Sequence, residues 1–272
     1  MAELDELVLG TACNPSHALF TEPAYLLRED PRISDRALYF SLLSAIAAGA
    51  TTPSKIAAAI GREARSLAHP LEVLISAGFV VRRDDLLLQR RPSLRLVDRV
   101  VQFHDLVVGP RLSAFEDRRP LPAWEAAQES LRAQLYGPAF EDLAREWVRR
   151  HASPNTNGGP VGEIGSAVLN DVRSRSQHEI DVLALAPGQR RQTPNPTILV
   201  IGEAKDSDKP RSAADLDRLE KARQLLGARG ADVSGSRLML FGRNGFSPDV
   251  EAEVGRRSDV ELVDLARIRY GA

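Results

Sequence analysis

One cysteine stands in 272 residues. Cys13 therefore has no partner for an internal disulfide, and no cysteine-based zinc cluster can be assembled. Lysine is nearly as scarce: among 36 basic residues only Lys55, Lys205, Lys209 and Lys221 are lysines. No run of about eighteen apolar residues occurs, so a membrane-spanning helix is not expected. The acidic opening MAELDELVLG lacks the basic-then-apolar layout of a secretory signal. No Gly-Lys dipeptide is present, which excludes a G-x-x-x-x-G-K-[ST] phosphate loop and a nucleotide cofactor held by one. These absences describe a cytoplasmic chain without disulfides, membrane segment or nucleotide.

What is present suits a soluble globular protein, with 43% hydrophobic and 27% charged residues. The length allows one large domain or two ordinary ones. A net charge of −1 is neutral on nucleic-acid binding unless the signs are segregated. Between positions 82 and 99 they are: Arg82, Arg83, Arg90, Arg91, Arg95 and Arg99 face only Asp84, Asp85 and Asp98. An ordinary solvated surface and a phosphate clamp both fit that stretch. In a chain that uses arginine almost everywhere, a lysine at 205 is a less arbitrary cation.

The first half reads as helices. SDRALYFSLLSAIAAG opens on a Ser34/Asp35 cap and repeats Leu38, Leu42, Leu43 and Ile46 at helical spacing. TTPSKIAAAIG is a short helix started by Thr/Ser and stopped at Gly61. REARSLAHPLEVLISAG is a third helix that either kinks at Pro70 or begins anew with Pro70 in its first turn, and it runs into a strand at Phe79, Val80 and Val81. DDLLLQRR is expected to return as the second strand of a hairpin. That order is that of a winged helix-turn-helix domain over residues 34–95; a small helical bundle is the other reading. In the winged-helix case Arg62 and Arg65 open the recognition helix and Arg82 and Arg83 start the wing, where they contact DNA phosphates. Residues 1–33 form an N-terminal extension and 96–136 a helical connector.

After Gly137 the character changes. GPAFEDLAREWVRR is an amphipathic helix with Pro138 in its first turn and a stripe of Phe140, Leu143, Ala144, Trp147 and Val148. VGEIGSAVL, HEIDVLAL and TILVIGEAK read as strands, followed by a helix, the strand RLMLFG, a helix and the strand VELVDL. The fold class is α/β: an all-α, winged-helix N-terminal domain, then an αβββαβ core with a mixed sheet over residues 137–272.

Within that core, ILVIGEAKDS ends an apolar strand on a carboxylate and an ammonium. Strand residues two apart share a face, so Glu203 and Lys205 project together. Asp181 lies on the preceding strand, and adjacent strands in register bring it to Glu203. Two carboxylates there repel unless a divalent cation bridges them. Mg²⁺, or Mn²⁺ in its place, suits two carboxylates and a backbone carbonyl, here that of Ala204. The plain alternatives are carboxylates facing water at a strand end and a surface salt bridge for Lys205. Glu141, at the border of the first helix's apolar stripe, also suits the positive end of a helix. His178 is a base beside Asp181 or a solvated histidine at a strand start.

At these residues the chain resembles the PD-(D/E)xK restriction-endonuclease-like superfamily, with Asp181 at its strand Asp, Glu203-Ala204-Lys205 at its E-x-K and Glu141 at the acid its first helix often carries. The resemblance implies a restriction-endonuclease-like core in which Asp181, Glu203, Lys205 and Glu141 are catalytic and Asp181, Glu203 and Ala204 hold the cation. Over roughly residues 15–265 the chain is also similar to the C-terminal half of the archaeal-type ATPase family, a winged helix followed by the nuclease-like domain DUF234. TEPAYLLRED, YFSLLSAIAAGATTPSKIA, ISAGFVVRR, LRLVDRVVQFHDLVVGP and GPAFEDLAREWVRR carry that likeness. This sequence lacks that family's P-loop, so nucleotide hydrolysis does not carry over. Three functions follow: a Mg²⁺-dependent DNA endonuclease; a DNA-binding regulator with a nuclease-like scaffold; or an interaction module that works with a separate ATPase subunit. Homo-oligomers are compatible with each.

Overall fold

The computed structural model describes residues 2–29, 31–33, 35–88, 92–171 and 175–271. Ser34, expected in a helix cap, and Arg90 and Arg91 of the arginine-rich stretch lie outside the described residues. The chain divides into two compact units, residues 1–83 with 92–136, and residues 84–91 with 137–272.

In the first unit α1 (Ala2–Gly10) and α2 (Ala18–Glu29) precede α3 (Arg36–Ala47). The Asp35 carboxylate accepts the Leu38 N–H at 3.2 Å, satisfying one of the free amides of the first turn of α3. The helical period then buries Tyr39, Leu42, Leu43 and Ile46. α4 (Pro53–Ile60) is capped by the Thr52 hydroxyl and stopped by Gly61 at φ 65°, a left-handed conformation that glycine adopts without a Cβ clash.

The segment expected as a third helix is two pieces, the second of which begins anew with Pro70 in its first turn. Ala64–Leu67 is a 3₁₀ turn, and α5 (Ala68–Ser76) starts after it. Pro70 is thereby in the first turn of α5, where its missing N–H would have had no intrahelical partner. Arg62 consequently lies in the link after Gly61 and Arg65 in the 3₁₀ piece, both exposed, rather than on the α-helix.

β1 (Val80–Arg83) pairs antiparallel with β2 (Ser93–Leu96), Val80 opposite Leu96 and Arg83 opposite Ser93. The described part of DDLLLQRR, residues 84–88, is therefore not the returning strand. Its residues belong to the second unit, where Leu86 is buried and the Asp85 carboxylate accepts the Leu87, Leu88 and Val168 amides at 2.7–2.8 Å. Hydrogen bonds to an ionised acceptor are about twice as strong as neutral ones, so they hold the excursion in place. α6 (Arg99–Phe103), α7 (Leu112–Glu116) and α8 (Pro120–Leu131) complete the first unit. Val101, Phe115, Trp124 and Leu131 share its core with α3, α4 and α5.

The second unit opens with α9 (Gly137–Arg150), the short α10 (Pro154–Asn157), β3 (Ile164–Asp171), β4 (Ser176–Leu185) and β5 (Ile198–Lys205). Then come α11 (Ala213–Ala228), β6 (Arg237–Gly242), α12 (Pro248–Val254), β7 (Val260–Asp264) and α13 (Leu265–Tyr270). Among the described residues these strands form one mixed sheet in the order β3-β4-β5-β6-β7. The first three are antiparallel neighbours; β5, β6 and β7 are parallel, with α11 and α12 as the crossovers that parallel pairing requires.

Apolar residues on both sides of the strands give the sheet two cores. α9 covers one face, setting Phe140, Ala144, Trp147 and Val148 against Val182, Ala184, Val200, Met239 and Phe241. α11 covers the other, with Leu216, Leu219 and Leu226 against Leu183, Leu185, Ile201 and Leu240. The stripe on α9 differs from expectation at two places. Leu143 is 50% exposed, and Arg145 is buried at 7%. A buried arginine needs partners, and those partners lie in the candidate site. Among the described residues no helix is long and apolar enough to cross a membrane.

Candidate functional site

The centre of the second unit is a break in regular pairing. On the β3 side Gly165 stands opposite Leu183 and Ala167 opposite Ile180, so Ser166 faces both Asp181 and Val182. That one-residue excess on β4 is a bulge, and bulges re-aim side chains and end pairing. Ile180 and Leu183 consequently lie in the α11-side core while Val182 lies in the α9-side core. On the β5 side the paired register runs from Leu185 to Val182, opposite Gly202, and goes no further toward Asp181. β5 itself continues against β6 as far as Lys205 opposite Gly242. The two strands part just where the apolar run gives way to Glu203.

Side chains take over the backbone groups left at the parting. The Asp181 carboxylate accepts the Ala204 N–H at 2.9 Å, in place of a ladder carbonyl. The Asp181 carbonyl in turn accepts Arg145 Nη1 at 2.5 Å. Arg145 also pairs with Asp142 at 2.6 Å and Glu141 at 3.6 Å on its own helix. Gly202 allows the close approach above the break: a Cβ there would sit 3.1 Å from the Val182 Cβ and 3.2 Å from the Met239 carbonyl oxygen.

Glu141, Asp181, Glu203, Ala204 and Lys205 line one cavity of about 320 Å³, together with His178 and Arg218. Burial is the largest cause pushing the Asp181 carboxyl up to about 7, and the Glu141 and Glu203 carboxylates add to it. The Ala204 amide and Arg145 pull the other way without cancelling the rise. The balance is an acid short of positive charge. Glu203 is tied to two arginines, its Oε1 lying 3.0 Å from Arg211 Nη2 and 3.2 Å from Arg218 Nη2. Lys205 is exposed, and no hydrogen bond or ion pair engages its ammonium among the described residues. His178 lies 3.3 Å from the Ser176 hydroxyl.

The donor set fits a hard divalent cation. Asp181, Glu203 and the Ala204 carbonyl supply oxygen only, and Mg²⁺ completes such a partial set with water. Among the described residues no three His, Cys, Asp or Glu side chains form a ready group for a metal ion. The fit accordingly rests on two carboxylates and a carbonyl, with Glu203 exchanging at least one arginine for the ion.

The predicted DNA-contacting arginines are elsewhere, in the first unit. Arg82 and Arg83 are consecutive in β1, so their side chains leave opposite faces of the ribbon and do not share one surface. The residues that sequence reasoning missed are Arg145, Arg211 and Arg218. Arg145 was hidden inside an amphipathic stripe, though its i+4 spacing from Glu141 was visible. Arg218 stands at i+3 from Asp215, a spacing that pairs charges on any helix and so carries no functional signal of its own, and Arg211 lies in the loop before α11. No family model, curated protein or solved structure matches the chain.

Proposed function

We propose that the protein is a divalent-cation-dependent DNA endonuclease, with a restriction-endonuclease-like second unit and a winged-helix first unit. The carrying observation is the convergence of Glu141, Asp181, Glu203, Ala204 and Lys205 on one cavity where β4 and β5 part. The element order and the mixed sheet of the second unit support the same reading.

In this reading Asp181, Glu203 and the Ala204 carbonyl hold Mg²⁺ or Mn²⁺. The cation, when bound, polarises the scissile phosphate and acidifies water. The chain's own residues do the rest. The Ala204 N–H fixes which Asp181 oxygen stays within the protein, and Arg145 holds the Asp181 backbone through the bulge. Lys205, without a competing partner among the described residues, is available to orient the attacking water or to neutralise charge on the phosphate. Glu141 adds negative potential beside Asp181 and strengthens the pull on a cation.

One observation favours a second reading, in which the protein binds DNA without cutting it. The Glu203 carboxylate already has Arg211 and Arg218 as partners, which is how a nuclease-like scaffold would neutralise a retained acid. Calorimetric titration of Mn²⁺ separates the two. Wild-type protein is expected to bind, Asp181→Asn and Glu203→Gln to lose binding, and Lys205→Ala to bind equally or slightly better. Failure of wild type to bind at millimolar Mn²⁺ would select the scaffold.

A further inference from the structure

Glu203 belongs to a closed ring of charges. Arg211 Nε lies 3.5 Å from Asp215 Oδ2, and its Nη2 reaches Glu203. Arg218 Nη2 contacts both Glu203 and Asp215. Asp215 is fixed at the start of α11, where its carboxylate accepts the Ser212 N–H at 2.8 Å in a capping box. The ring contains two carboxylates and two guanidiniums, but its two cations differ. Arg211 is 2% exposed and makes its ion pairs without a hydrogen bond. Arg218 is 47% exposed, hydrogen-bonds Glu203, and lines the cavity alongside Lys205.

A buried arginine cannot leave without stranding charge, whereas a half-exposed one can swing at little cost. We propose that Arg218 is an exchangeable latch on Glu203. It neutralises Glu203 while no cation is bound; when a divalent cation takes that carboxylate, it turns to grip a phosphate of the nucleic-acid backbone. Arg211 stays behind as the fixed counter-charge, and Asp215 holds the base of the Arg218 swing. A guanidinium suits the second role because its planar fork matches phosphate oxygens. This inference rests on the cation-dependent reading of the same cavity.

The latch separates two effects that a merely structural arginine would move together. Removing Arg218 deletes a cation that competes with the metal, so Mn²⁺ binding by Arg218→Gln is expected to tighten about three- to tenfold. Arg218→Lys retains the charge and is expected to stay near the wild-type affinity. Phosphate gripping is read in the presence of Mn²⁺ on a Lys205→Ala background, which keeps the metal site but is not expected to cleave. There, adding Arg218→Gln should weaken binding to a fluorescent DNA duplex and reduce the slope of log affinity against log salt by about one. If wild type binds Mn²⁺ and Arg218→Gln binds it equally or more weakly, the latch is refuted and the metal site stands. The same follows if Arg218→Lys tightens as much as Arg218→Gln, because the effect is then not competition by charge. An unchanged salt slope refutes the phosphate grip. If wild type binds no Mn²⁺, the reading beneath it fails and the latch with it.

Discussion

Replacing Asp181 by asparagine should make the metal-free protein more stable at pH 8. In the fold the carboxyl is pushed up to about 7 from its ordinary 3.8, first by burial and then by the Glu141 and Glu203 carboxylates. Between those two values the folded chain holds a proton that the unfolded chain has lost, so stability falls as pH rises through the interval. The penalty is absent below about pH 4 and complete above about pH 7. A rise of about three pH units at about 1.4 kcal/mol each corresponds to about 4 kcal/mol. Relaxation and water entry reduce what is measured, to about 2–4 kcal/mol. Asparagine cannot ionise, yet its amide oxygen can still accept the Ala204 N–H. In EDTA at pH 8 the variant should melt several degrees above wild type, at about 2–4 °C per kcal/mol for a chain of this size. At pH 4 the two should coincide. A variant that melts lower at pH 8, or whose gain is the same at both pH values, would refute this account of Asp181.

Gly202→Ala places a methyl against the Val182 Cβ and the Met239 carbonyl oxygen, and should cost about 1–3 kcal/mol in urea unfolding. Asp259 is held below the usual carboxylate range, chiefly by the Arg257 hydrogen bonds and also by Arg223. Its depressed value means that its contribution is present at neutral pH and lost on acidification. Asp259→Asn should therefore cost about 1 kcal/mol at pH 7, after solvent screening, with the gap to wild type narrowing below about pH 4. In the first unit, Arg82→Glu with Arg83→Glu should weaken duplex binding and flatten its salt dependence. Because the two side chains leave opposite faces of β1, one single variant should carry most of that loss.

Local features were legible in the chain. Thr52, Pro53 and Gly61 delimit α4 through groups only a few residues apart. The strands of the second unit announced themselves through short apolar runs bounded by turns. Asp181, Glu203 and Lys205 were picked out by residue type and parity, and they do line one cavity. What was not legible depends on partners distant in sequence. The bulge at Asp181 exists because β3 offers one residue where β4 has two, and no property of HEIDVLAL alone reveals that. DDLLLQRR follows a strand and is expected to return as its hairpin partner, but Leu86 belongs to the core of the other unit. Arg145 reads as solvent-facing by type and is buried because the Asp181 carbonyl needs a donor. The partners of Glu203 come from the loop before α11 and from α11 itself, beyond the reach of any motif centred on E-x-K.

Supercoiled plasmid is the most direct probe of the central claim, incubated with purified protein in Mg²⁺ or Mn²⁺ and in EDTA. Wild type should nick or linearise it only with the cation. Asp181→Asn and Lys205→Ala should both lose the activity, and Lys205→Ala should do so while still binding Mn²⁺. Loss of one hydrogen-bonding or charged group at a reacting phosphate corresponds to about a hundred- to a thousandfold in rate. Intact plasmid after prolonged incubation with wild type in Mn²⁺, or cleavage that survives Lys205→Ala undiminished, would contradict an endonuclease working at this cavity.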